Sequence, residues 1–182
     1  MANKKTDRRS IDKLLTSLGI LMVAVLVVVG GIAWWAYSFT TNNVKSELAS
    51  QKIYFPPKGS SALASPEIGP FLNQYAGQQL LTGPQAKAYA DHFIAVHLSE
   101  VAGGKTYAQV STEAMANPTD ATLQAQKQTL FQGETLRGLL LGDAYAFWTV
   151  GHIAQIAAIV CFVAAGLVIV LVILGFAHLS ML

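Results

Sequence analysis

From Leu14 to Ala33 the chain reads LLTSLGILMVAVLVVVGGIA, without a charged residue. From Ile153 to Ala177 it reads IAQIAAIVCFVAAGLVIVLVILGFA, where Gln155 is the one strongly polar side chain. About twenty apolar residues in helical form cross a hydrocarbon core ~30 Å thick. A helix is the form such a run must take there, because it satisfies its own backbone N–H and C=O groups where no water can. These two runs predict a two-span membrane protein and constrain everything else in the chain.

The flanks predict an orientation. Lys4, Lys5, Arg8, Arg9 and Lys13 stand ahead of the first run, out of 12 Lys and Arg in the whole chain. Positive residues stay on the cytoplasmic side, so the amino terminus is expected inside. Trp34, Trp35 and Tyr37 follow the run, and Tyr145, Phe147 and Trp148 precede the second. Amphipathic aromatic rings suit the headgroup level, which marks these as the outer ends. Ala36 and Ser38 offer a small-x-small cleavage pair, but the apolar run exceeds a signal h-region, so a retained anchor is expected. The chain then divides into a basic cytoplasmic tail (1–13), a first span with its aromatic edge (14–37), an extracytoplasmic domain (38–148), a second span (149–178) and a short cytoplasmic tail (179–182). Two spans return the chain to its starting side, so both termini are expected in the cytoplasm and the chain in a cell membrane.

Composition excludes several classes. With 53% hydrophobic and 12% charged residues this is not an ordinary soluble chain. A net charge of +2, with the bases gathered at one end, gives no nucleic-acid-binding face. Cys161 is the sole cysteine, so an internal disulfide and a multi-cysteine metal site are both ruled out.

Between the spans the pattern is helical. Thr40 to Gln51 is polar and can continue the first helix. Ile53 to Phe55 reads as a short extended piece, and Pro56-Pro57 ends any helix there. Residues 58–70, rich in Gly, Ser and Pro, read as a loop. Residues 84–101 predict a helix with Ala86, Tyr89, Ala90, Phe93, Val96, His97 and Val101 on one face. Gly103-Gly104 is its stop. Asn117-Pro118-Thr119-Asp120 predicts a helix start with Asn as cap, Pro first and Asp in the first turn. Nothing breaks the pattern from there to His178, so one long helix is expected, kinked near Gly133, Gly138, Gly142 or Gly151. No repeat or heptad array stands out. The fold class expected is an all-α membrane protein: two transmembrane helices, the second continuing a long extracytoplasmic helix, with a small mainly helical outer domain.

The candidate sites each have a plainer reading. His92 and His97 lie five apart, which rotates them by about 140° on the helical period, whereas a zinc helix needs four. His97 and Glu100 could share a metal, but two ligands do not complete a site. The plainer reading leaves His92 exposed and packs His97. Gly104-Lys105-Thr106 echoes a phosphate loop, but Ser99 stands where that motif needs glycine. His152 and His178 flank the second span; the first span has no histidine, so only a second copy could complete a bis-histidine heme site. Glu134 and Arg137 are three apart and can pair. Asp143 lies among leucines and aromatics and needs a partner, Arg137 or a base of another chain. Gly138 and Gly142 form a GxxxG spacing, and Ala154, Ala157, Ala158, Cys161 and Ala165 a small-residue face, both suited to close helix approach. Arg137, Gly138, Gly142 and Asp143 are therefore the expected interaction residues. No catalytic residue, metal or cofactor is expected.

His97-Leu-Ser-Glu-Val-Ala-Gly-Gly-Lys-Thr-Tyr-Ala-Gln109, with Val44 to Ile53 and Leu136 to Leu140, resembles small two-span actinobacterial membrane proteins often labelled aromatic ring-opening dioxygenases of the LigA type. The resemblance covers about half the chain in patches and implies no activity. A non-heme iron enzyme would need two histidines and a carboxylate converging on the metal, and the spacing here offers no such set.

The expected function is a non-catalytic, membrane-anchored interaction protein, an accessory subunit of a larger membrane complex such as a respiratory assembly, or a homo-oligomer. Its partners would be the lipid bilayer and other membrane subunits or itself, with neither nucleic acid nor nucleotide. The alternatives are a metal- or cofactor-bearing redox subunit using His92, His97, Glu100 or His152, and a small channel or transporter component. The spans offer almost no polar lining for the latter.

Overall fold

The computed structural model describes residues 2–181, with side chains from residue 10 onward. The side chains of Lys4, Lys5, Arg8 and Arg9, and Leu182, lie outside the described part. The chain is helical, and among the described residues no strand forms; one isolated antiparallel bridge pairs Tyr54 with Gln79. The helices are α1 (Ala2–Gln51), α2 (Gly69–Leu72), α3 (Gly83–Tyr89), α4 (Ala95–Val101), α5 (Tyr107–Ala116), α6 (Ala121–Leu139) and α7 (Ala146–Met181). Turns of π-helix, Ala90–Ile94 and Leu140–Tyr145, join α3 to α4 and α6 to α7. The chain separates into two compact units, residues 1–39 with 151–182, and residues 40–150.

The first unit is an antiparallel pair made from the apolar parts of α1 and α7. Its register follows from side-chain neighbours. Asp12 lies 3.8 Å from His178, and Tyr37 packs edge-on to His152 at 5.4 Å between ring centroids. Glycines set the closest approaches: a Cβ on Gly19 would stand 2.6 Å from Val172, on Gly175 2.8 Å from Thr16, and on Gly30 2.9 Å from the Phe162 ring. Along α1 as far as Ala33 the sheltered positions are Asp12, Thr16, Gly19, Val23, Leu26, Gly30 and Ala33, alternating steps of four and three. That is a heptad seam, the period of left-handed helix pairing. No such array stood out in the sequence. On α7, Gly151, Ala158 and Ala165 are buried and Ala154 and Cys161 half-buried, while Ala157 faces outward. The small-residue face is therefore real but rotated off Ala157.

Outside the seam the unit is apolar all round. Leu14, Leu21, Val28, Leu167 and Leu171 are each at least 61% exposed, and only 11% of either helix's most apolar window is buried. A helix in the core of a soluble protein would be covered. Both helices are long and apolar enough to cross a membrane.

The second unit has its own core, built from Phe55, Leu63, Ile68, Leu72, Leu80, Val110, Leu130, Leu140 and the inner face of α3 and α4. Val44 and Leu48 bring the last turns of α1 into it. Lys52 turns the chain at φ 54°. The extended piece then pairs with the strand-like return, Phe55 N donating to Gln78 O at 2.9 Å and Leu80 N to Ile53 O at 2.9 Å.

The start of α3 is a reciprocal cap. Thr82 accepts from Gln85 N, and Gln85 Oε1 accepts from Leu81 N at 2.8 Å and Thr82 N at 3.1 Å. The inner face of α3 and α4 differs from the expected one. Ala86, Ala90, Ile94, Leu98 and Ala102 are buried. Steps of four drift by about 40° on an α-helix, and the wider π turn at Ala90–Ile94 takes up that drift. His97 is thereby turned outward and exposed, and His92 is half-buried, the reverse of the expected pair.

Gly103 and Gly104 end α4 at φ 61° and 81°, with Gly104 N donating to Ser99 O at 2.7 Å. Thr106 and Gln109 then form a second reciprocal cap and start α5, a helix absent from the sequence reading. Asn117 closes α5, its N–H bonded to Glu113 O at 3.0 Å. It is therefore not the cap of the next helix. Asp120 takes that place, accepting from Thr122 N at 2.9 Å and Leu123 N at 3.1 Å, so the long helix begins at Ala121. The break in that helix is the π turn around Gly142.

Candidate functional site

Each histidine singled out by the sequence sits in a different place. His92 lies flat on Phe71, with ring centroids 3.5 Å apart and planes 3° from parallel. His97 Nδ1 is 2.7 Å from Phe93 O, and Glu100 is exposed. His152 and His178 belong to the helix pair described above. Among the described residues no three His, Cys, Asp or Glu side chains gather closely enough to hold a metal ion. Gly104, Lys105 and Thr106 are used as a helix stop, an ion pair (Lys105 Nζ to Glu113 Oε2, 2.8 Å) and a helix cap.

A charged network ties α3 to α6. Lys87 Nζ is 2.6 Å from Asp91 Oδ2, Arg137 Nη2 is 3.5 Å from Asp91 Oδ1, and Arg137 Nη1 is 3.4 Å from Glu134 Oε2. Lys87 also stands 5.3 Å from the centre of the Tyr145 ring. Burial pushes the Asp91 carboxyl up, but the hydrogen bonds and charges of Lys87 and Arg137 together outweigh it and hold it below the usual carboxylate value. The hydrogen bond from Lys87 to Asp91, reinforced by that carboxylate's charge, raises Lys87. Burial raises the neighbouring Tyr89 hydroxyl.

The network engages Arg137 with Asp91 and Glu134 and leaves Asp143 out. Six residues of helix, the last of them in the π turn, set Arg137 and Asp143 on different faces. Asp143 is exposed and makes no ion pair among the described residues. It lines an open groove of about 550 Å³ in the second unit. One wall is the end of α1, with Asn43, Glu47 and Gln51 on the rim and Val44 and Leu48 deeper in; the other carries Leu136, Leu139, Leu140, Phe147 and Val150. Gly142 also lines it. An added Cβ on Gly142, or on Gly138 outside the groove lining, would meet nothing.

Of the expected interaction residues, the structure brings Gly142 and Asp143 together in the groove and sends Arg137 to the charged network. Sequence reasoning missed Glu47, the carboxylate from α1 that lines the same groove. The signal was faint: Asn43, Glu47 and Gln51 recur every four residues, one polar stripe beside the apolar Val44 and Leu48. The chain matches no protein-family model, and no curated protein or solved structure is similar to it.

Proposed function

We propose that this chain is a non-catalytic interaction protein held in a membrane by two helices, an accessory subunit of a larger membrane complex. The observation that carries the reading is the groove of the second unit, lined by the exposed Leu139 and Val150 and by Gly142, which leaves room for a neighbouring backbone. The apolar helix pair supports the bilayer as one partner, since its exposed Leu, Val and Ile side chains need a nonpolar surrounding. The basic cluster before Leu14 supports both termini on the cytoplasmic side and residues 38–148 outside. Kinship with the actinobacterial two-span proteins would place it in a bacterial plasma membrane.

Purification of the tagged chain in mild detergent, followed by native mass spectrometry and a visible absorption scan, tests the reading. Other membrane subunits in fixed ratio and a colourless preparation are expected. A solitary monomer, or a coloured and metal-loaded one, would contradict it.

A further inference from the structure

We propose that the groove of the second unit seats a helix from a partner protein that carries a lysine or arginine among apolar residues. This rests on the interaction reading above and names the chemistry of the partner.

The groove combines apolar walls with two carboxylates. Leu139, Val150 and the half-buried Phe147 supply apolar surface, and Glu47 and Asp143 both line the same space. Neither acid takes part in an ion pair among the described residues. Among the described residues no Lys or Arg lines the groove, Lys52 five residues after Glu47 included. Arg137 is engaged by Asp91 and Glu134, and Lys87 by Asp91. Lys45 precedes Glu47 by two residues, which puts it on the opposite face of the helix, and does not line the groove.

A neutral apolar helix docking here would strip water from two carboxylates and return nothing, which is costly. A helix with one cation between apolar residues covers the walls and compensates the acids at once. Gly142 leaves space for its backbone. The same acids repel a phospholipid phosphate, so an anionic lipid headgroup is the poorer occupant.

The test uses the full chain in mild detergent and two labelled synthetic helices of leucine and alanine, one with a central lysine and one with glutamine in its place. Binding is read by fluorescence anisotropy at low and high salt. The lysine helix should bind about tenfold tighter than the glutamine helix at low salt, and salt should narrow the gap. The double substitution Glu47→Gln with Asp143→Asn should abolish the preference. Both side chains are exposed and the changes isosteric, so the melting temperature should stay put. Equal binding of the two helices, a preference that survives the double substitution, or no binding of either would overturn the proposal. So would an anionic phospholipid that displaces the lysine helix, or a dimer of the chain alone that the double substitution dissolves. Equal helix binding alongside a co-purifying subunit would leave the interaction reading standing while removing the charge preference. Lysine-selective binding by a chain that purifies alone would do the reverse.

Discussion

Arg137 Nη2 reaches Asp91 Oδ1 at 3.5 Å across 46 residues of sequence. With Lys87 on its other oxygen, Asp91 is the point where three elements of the second unit meet. Asp91→Asn removes the charge from both pairs at once. The side chains are 24% exposed for Asp91 and 33% for Arg137, so solvent screens them in part. A loss of about 1 kcal/mol is expected, read as a lower melting temperature in detergent; an unchanged midpoint would mean the network is ornamental.

The same network sets a pH profile. The folded-state value of Asp91 lies below its unfolded one, so its contribution is present above about pH 4 and fades as pH falls through the lower folded value. Lys87 is raised, so its contribution is present below about pH 10 and fades as pH rises past its folded value. From these two groups thermal stability should be flat from about pH 5 to 10 and drop at both ends. Replacing Asp91 with Asn should blunt both drops, and a midpoint that still falls equally in acid would assign the loss to other groups.

Glycines separate packing from docking. A Cβ on Gly83 would stand 2.5 Å from Cβ and Cγ of Trp148, atoms that cannot swing aside. Gly83→Ala should therefore destabilise the second unit by about 1–3 kcal/mol. Gly138→Ala and Gly142→Ala meet open space and should leave the isolated chain as stable or slightly more so, given alanine's higher helix propensity. Bulky replacements there, Gly138→Leu or Gly142→Leu, should weaken association without lowering the melting temperature. Loss of fold in the leucine variants would show those faces to be packed.

Side-chain caps start three helices of the second unit. Thr82→Ala, Thr106→Ala and Asp120→Ala should each cost about 1 kcal/mol, with local amide exchange faster at the first turns of α3, α5 and α6 respectively. Exchange that rises everywhere alike would point to global unfolding instead.

The sequence made some of this legible and concealed the rest for identifiable reasons. The two apolar helices showed because about twenty uncharged residues have few other uses. The Gly103-Gly104 stop showed because left-handed φ values select glycine. The helix α5 was hidden behind Gly104-Lys105-Thr106, although Thr106 and Gln109 carry the capping-box spacing. The heptad seam was invisible for a different reason. A helix that is apolar all round gives no contrast, so nothing marked Thr16, Gly19 and Gly30 as its contact line. The π turn at Ala90–Ile94 had no sequence signal and moved His97 outward, a shift that periodicity of 3.6 could not foresee, whereas the one at Leu140–Tyr145 falls at Gly142, one of the glycines where a kink was expected. Of the groove, Gly142 and Asp143 were legible as a spacing and an awkward charge. Glu47 was not, because its partnership with them is tertiary.

The most direct test of a membrane-anchored protein with its groove-bearing unit outside the cytoplasm is cysteine labelling in intact cells. In a Cys161→Ala background, single cysteines at Ser10, Thr112 and Ser180 would be exposed to a membrane-impermeant maleimide before and after lysis. Thr112→Cys, on the exposed side of α5, should label in intact cells, whereas Ser10→Cys and Ser180→Cys should label only once the cells are opened. Labelling of Ser10→Cys or Ser180→Cys in intact cells, or protection of Thr112→Cys until lysis, would contradict it.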